Sequence, residues 1–79
     1  MKLTESVGKR TQELLFAKNM TQYRLGKITC LNDKTISDLI KGRTQDVNFS
    51  TIYLITTALQ ISLKEFFNSD LFDENNIEI

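Results

Sequence analysis

The stretch "MTQYRLGKITCLNDKTISDLIKGR", residues 20–43, reads as two short amphipathic helices in quick succession. Thr21 follows the hydrophobic Met20 and has an N-cap side chain, so a helix of about two turns is expected over Gln22–Thr29, burying Leu25 with Ile28 beside it. Cys30 and Leu31 then connect tightly to Asn32, a second N-cap, and Asp33 falls in the first turn of the next helix, where the dipole favours an anion. Ile36, Leu39 and Ile40 stand at i, i+3 and i+4 and should face a core. That register leaves Asp33, Lys34, Ser37, Asp38 and Lys41 mostly on the opposite side. Gly42 is placed to close the helix as its C′ residue.

Working outward, Val7, Leu14 and Leu15 recur at helical spacing, with Lys9, Arg10, Gln12 and Glu13 largely on the other side, which predicts a first helix over residues 4–18 ending near Asn19. Residues 43–47 form a polar connection. Asn48 can cap a fourth helix with an apolar stripe of Phe49, Ile52, Ile55 and Leu59, and Thr56 can turn its methyl inward. Ser62-Leu63-Lys64-Glu65 has the form of a capping box, opening a short fifth helix that buries Leu63, Phe66 and Phe67. Beyond Asn68 the chain is expected to fray. The layout is all-α, with a domain over residues 1–67 and an acidic tail over 68–79, and no repeat or second domain boundary interrupts it.

Composition agrees. At 79 residues the chain suits one domain, and 41% apolar with 25% charged residues is ordinary for a folded one. No proline and only three glycines leave little of the punctuation an all-β domain needs. Cys30 is the single cysteine and there is no histidine, so an internal disulfide, the usual zinc ligand sets and a cofactor find no support. Catalysis has as little: no histidine base, a lone turn cysteine and no evident pair of carboxylates in a cleft make an enzyme remote. No apolar stretch approaches the roughly 20 residues of a membrane span, and no signal-peptide pattern opens the chain, so a cytoplasmic protein without a membrane partner is expected. Net charge is zero, but its distribution is uneven. Asp70, Asp73, Glu74 and Glu78 crowd the end without a base, so residues 1–67 keep ten bases against six acids, a balance of +4.

The run over 20–43 closely resembles the helix-turn-helix of the Cro/repressor (XRE) family in register and length, and "NFSTIYLITTALQISLKEFF", residues 48–67, resembles that family's fourth and fifth helices. The resemblance covers residues 7–67. It implies a compact five-helix, lambda-repressor-like DNA-binding domain with the motif at helices 2 and 3. It further implies a sequence-specific transcriptional regulator of repressor type, binding a near-palindromic double-stranded operator as a homodimer. By the same resemblance Asp33, Lys34, Ser37 and Asp38 would meet base edges in the major groove, while Gln22, Lys41, Arg43, Thr44 and Gln45 would contact phosphates.

Two positions depart from the family. Cys30 stands where glycine is usual, which asks it to adopt a positive φ at a cost on the order of 1 kcal/mol. Gly26 replaces the usual alanine at the closest helix crossing, costing up to about 1 kcal/mol of helix propensity. The two aspartates on the reading face leave alternatives open. Asp33 can serve as a helix-terminus anion, and Asp38, at i+4 from Lys34, can be either a base reader or an ion-pair partner on a solvated face. The acidic face and neutral total charge also admit a second function, a protein-interaction or antitoxin-like module on the same fold. The tail could then mask the basic surface or complete a dimer.

Overall fold

The computed structural model describes residues 1–78. They form five helices, α1 (Leu3–Ala17), α2 (Gln22–Thr29), α3 (Asp33–Ile40), α4 (Phe49–Leu59) and α5 (Leu63–Phe67), followed by two 3-10 turns, Asp70–Phe72 and Glu74–Asn76. Side-chain caps start three of the helices: Thr21 Oγ1 accepts from Arg24 N at 3.1 Å, Asn32 Oδ1 from Thr35 N at 2.7 Å, and Ser62 Oγ from Glu65 N at 3.0 Å. Asn48 takes the N-cap place of α4, yet its side chain makes no capping bond, and its backbone carbonyl alone accepts, from Thr51 N at 3.1 Å and Ile52 N at 3.2 Å. Three helices end on a residue with positive φ that is not glycine: Asn19 at 55°, Cys30 at 63° and Gln60 at 59°. Cys30 thus adopts the conformation its place in the turn demands.

The core gathers Val7, Leu14 and Leu15 from α1, Leu25 from α2, Ile36, Leu39 and Ile40 from α3, Ile52, Ile55, Ala58 and Leu59 from α4, and Phe66 from α5. Thr11, Thr29 and Thr56 are buried among them, each hydroxyl donating to a carbonyl of its own helix (Val7, Leu25 and Tyr53, at 2.8–2.9 Å), which removes the penalty of hiding a polar group.

Three residues expected in the core are exposed. Phe49 is 81% exposed: at 100° per residue it lies about 90° round α4 from the middle of the buried face, in the first turn. Ile28 yields the inward position to its neighbour Thr29. Leu63 opens a helix too short to bury more than Phe66 fully, and Phe67 is half-buried.

Close approach of α1 and α3 depends on Gly8. A Cβ there would stand 2.8 Å from Ile40 O and closer still to Leu39 O, so the last turn of α3 lies directly on the α1 backbone. Nearby, Gly42 has φ 71° and closes α3: Gly42 N donates to Leu39 O at 3.2 Å and Arg43 N to Asp38 O at 2.8 Å.

Arg10, expected on the solvated side of α1, instead ties α1 to α5. Its Nε donates to Phe66 O and its Nη2 to Glu65 O, both at 2.8 Å, satisfying carbonyls at the end of a short helix.

The expected fraying after Asn68 gives way to order over residues 69–78. The Phe72 ring stands 4.9 Å from that of Phe67 and 6.0 Å from that of Phe66. Glu78 N donates to Met1 O at 2.7 Å, while the Met1 ammonium reaches Asn76 O at 3.0 Å and Glu78 Oε1 at 2.9 Å. That ammonium, by its hydrogen bond and then its charge, holds the Glu78 carboxyl below its ordinary pKa. The tail's bonds and ring contacts therefore run to Met1, Phe66 and Phe67, not to Lys41 or Arg43 as self-masking would require. The expectation for Ile79 lies outside the described residues.

Candidate nucleic-acid interface

With Leu25, Gly26 and Thr29 turned inward, α2 packs on α3 and α4, and α3 buries Ile36, Leu39 and Ile40. The opposite side of α3 is left uncovered. Asp33 and Lys34 are exposed there, and Ser37 and Asp38 are half-buried at its edge. Gln22, Tyr23, Asp33, Ile36 and Ser37 line a notch of about 190 Å³ where the start of α2 meets α3. The first N–H groups of α2 belong to this end, and those of Gln22 and Tyr23 have no partner within the helix, which suits them to an anion. Asp33 leans toward α2, its Oδ1 lying 3.6 Å from where a Cβ on Gly26 would be.

Further along α3, Lys34 Nζ donates to Asp38 Oδ2 at 2.9 Å. The Lys34 hydrogen bond is the main cause that holds the Asp38 carboxyl below its ordinary pKa; partial burial opposes it, and the charges of Lys34, Arg43 and Lys41 reinforce it. Both alternatives for Asp38 therefore stay physically compatible, since the ion pair forms on the face that is open. Lys41 and Arg43 flank Gly42 and are exposed, as is Gln45. Thr44 differs: its Oγ1 is shielded from solvent and has no partner among the described residues, so this hydroxyl does not face the open side as the other residues of the segment do. Arg24 is exposed and makes no ion pair among the described residues, and Lys27 Nζ sits over the Tyr23 ring at 5.1 Å from its centroid.

The structure thus brings Gln22, Asp33 and Ser37 to one notch and Lys34, Asp38, Lys41 and Arg43 to one charged cluster. Tyr23, which lines the notch, was not legible as a site residue, because a tyrosine in a helix gives no directional signal by itself. Gly8, which sets the placement of α3, carries a sequence signal of its own: a glycine inside a helix costs propensity and needs a packing reason.

The model of the Cro/C1-type helix-turn-helix DNA-binding domain matches residues 12–70. The chain belongs to this family. Its function class is that of a DNA-binding transcription regulator, and the family is one of DNA-binding domains rather than of enzymes. Among solved structures, the restriction-modification controller protein C.AhdI from Aeromonas hydrophila is similar at a TM-score of 0.75 and 28% identity, covering 81% of this chain and 96% of that one. No curated protein sequence matches. No helix among the described residues is long and apolar enough to cross a membrane.

Proposed function

We propose that this regulator is a sequence-specific, repressor-type homodimer that seats α3 in the major groove of a near-palindromic operator in the cytoplasm. Asp33, Lys34, Ser37 and Asp38 meet base edges; Gln22, Lys41, Arg43, Thr44 and Gln45 grip phosphates on either side. The observation that carries this reading is the uncovered face of α3, polar along its length and flanked by the start of α2 at one end and by Lys41 and Arg43 at the other. Residues 1–67 carry the binding fold in this reading, and 68–79 form an acidic appendage.

Dimerisation is supported by α4. Its eleven residues include no charge, and Phe49, Tyr53 and Leu54 on it, with Leu63 of α5, are exposed. A two-fold copy can meet such a face without like-charge repulsion, and burying it repays the association cost. Repression then follows sterically, because a seated dimer occupies the DNA that polymerase would use.

Selection from random duplex DNA at about physiological salt, with sedimentation of the free protein, tests the whole reading. An enriched palindrome and a dimer are expected. Arg43→Ala should weaken selected and random DNA alike and flatten the salt dependence by about one counterion, whereas Lys34→Ala should cost about 1–3 kcal/mol at one base pair. A monomer with no enriched site would end this proposal and give the α4 face to a different protein.

A further inference from the structure

The Lys34–Asp38 pair has chemistry left over. One of the three ammonium N–H groups of Lys34 is used on Asp38 Oδ2, at 2.9 Å, which leaves two donors. Asp38 Oδ1 has no partner among the described residues, which leaves one acceptor. Lys34 is 84% exposed, so its free donors point into open space beside the carboxylate rather than into the domain. Along this edge of α3 the pair therefore offers two donors and then an acceptor.

A G·C pair shows the complementary row in the major groove: N7 and O6 of guanine accept, and the N4 amino group of cytosine donates. The spacing also corresponds. Guanine O6 and cytosine N4 are hydrogen-bonded to each other within the base pair, about 2.9 Å apart, and the Lys34 ammonium and Asp38 carboxylate are likewise joined by one hydrogen bond, 2.9 Å from Nζ to Oδ2, which holds Oδ1 beside the ammonium. Two hydrogen-bonded pairs of similar size can lie edge to edge, the ammonium on O6 and N7 and the free Oδ1 on the amino group. An A·T pair reverses the inner positions. The adenine amino group would face the ammonium and thymine O4 would face the carboxylate, a donor against donors and an acceptor against an acceptor.

We infer that Lys34 and Asp38 act as one unit that reads a single G·C pair in each half-site. The inference rests on the reading of α3 as the major-groove element. It gives the aspartate a purpose beside a polyanion: paired with Lys34 and bracketed by Lys41 and Arg43, its charge adds little to repulsion from phosphates, while its free oxygen demands a base amino group. It also predicts a sign that a purely structural ion pair would not. Removing the carboxylate frees the ammonium for any guanine or phosphate, so specificity falls while affinity for random DNA holds or rises.

The test uses the full chain and the duplex enriched by selection, in which each G·C pair is replaced in turn by A·T for wild type, Lys34→Ala, Asp38→Ala and the double variant. Wild type is expected to lose about 5- to 150-fold at one G·C pair per half-site. Asp38→Ala should reduce that ratio to below about 3-fold at the same pair, with random-duplex binding unchanged or tighter, and the double variant should lose no more discrimination than either single one. Asp38→Asn, which keeps the side-chain shape, should also lose the preference if the carboxylate charge is what is read, and melting curves of all variants check that the fold is intact. An enriched site lacking G·C, Asp38→Ala and Asp38→Asn variants that both discriminate as wild type does, or losses that fall at different base pairs for the two positions overturn the joint reading alone. No enriched site at all overturns the major-groove reading and this inference with it.

Discussion

Substituting Gly8 by alanine sets two effects of opposite sign against each other. Position 8 is inside α1, where alanine is favoured over glycine by about 1 kcal/mol of intrinsic propensity, so local reasoning predicts a more stable protein. The tertiary structure predicts the reverse. The new methyl carbon would stand 2.8 Å from Ile40 O and 3.1 Å from Ile40 C, and nearer still to Leu39 O. None of these is a flexible side-chain end. They are backbone atoms of the last turn of α3, whose side chains Leu39 and Ile40 are buried and whose Leu39 carbonyl already receives Gly42 N. Relief therefore requires α1 and α3 to part as units, exposing or loosening the packing of Val7, Leu39 and Ile40. Overpacking of this kind costs about 1–3 kcal/mol and more where backbone must move; the most severe contact here puts the cost at about 3 kcal/mol, and the propensity gain leaves a net loss of about 2 kcal/mol. For a domain of this size that corresponds to a fall in Tm of roughly 8–16 °C. Chemical denaturation followed by far-ultraviolet circular dichroism gives the free energy directly. A Gly8→Ala protein as stable as wild type, or more so, would refute the argument that the helix crossing outweighs propensity.

Three further outcomes follow from the same geometry. Arg10→Met keeps the aliphatic stem but removes both donors to the α5 carbonyls, and should cost about 2 kcal/mol in denaturant unfolding, since two bonds from a charged donor, one of them part-buried, are at stake; a change below about 0.5 kcal/mol would mean water replaces the guanidinium freely. Cys30→Gly should raise stability by about 0.5–1 kcal/mol, because Cys30 is exposed, holds φ 63°, and glycine removes the left-handed strain at the expense of some unfolded-state entropy; a lower Tm would contradict it. The third concerns acid. Asp38 has a folded pKa below its ordinary 3.8, so its contribution is fully present above that value and is lost as pH falls through the lower, folded value. Wild type and Asp38→Asn should therefore differ by a constant amount from about pH 5 to 8 and converge as pH falls below 3.8 through the lower folded value, which a set of unfolding curves across pH would show or refute.

How much was legible in the sequence varies by element in a physically regular way. The α2–turn–α3 unit was readable nearly in full, because caps, helical period and the closing glycine are all set by residues within a turn or two of one another. Thr21 and Asn32 cap as expected, Cys30 takes the left-handed conformation, and Ile36, Leu39 and Ile40 face inward. The same local logic placed Lys34 and Asp38 on one side of α3, where they are found bonded. It failed for Phe49 and Leu63, at the starts of α4 and α5, where the first turn of a helix runs past its cover, and for Ile28, where the neighbouring Thr29 takes the inward position.

The five helices, the caps at Thr21, Asn32 and Ser62 and most of each apolar face were thus encoded locally, since these depend on short-range sterics and hydrogen bonding. That Gly8 admits the end of α3, that Arg10 closes α5, that Phe72 joins Phe66 and Phe67, and that Met1 holds Glu78 emerge from the assembled fold alone. Each of these joins atoms distant along the chain, and no period or cap in the intervening residues records which distant backbone will arrive there. The candidate interface combines the two kinds of information. Local pattern supplies its side chains, and the crossing of α1 with α3 sets where they stand.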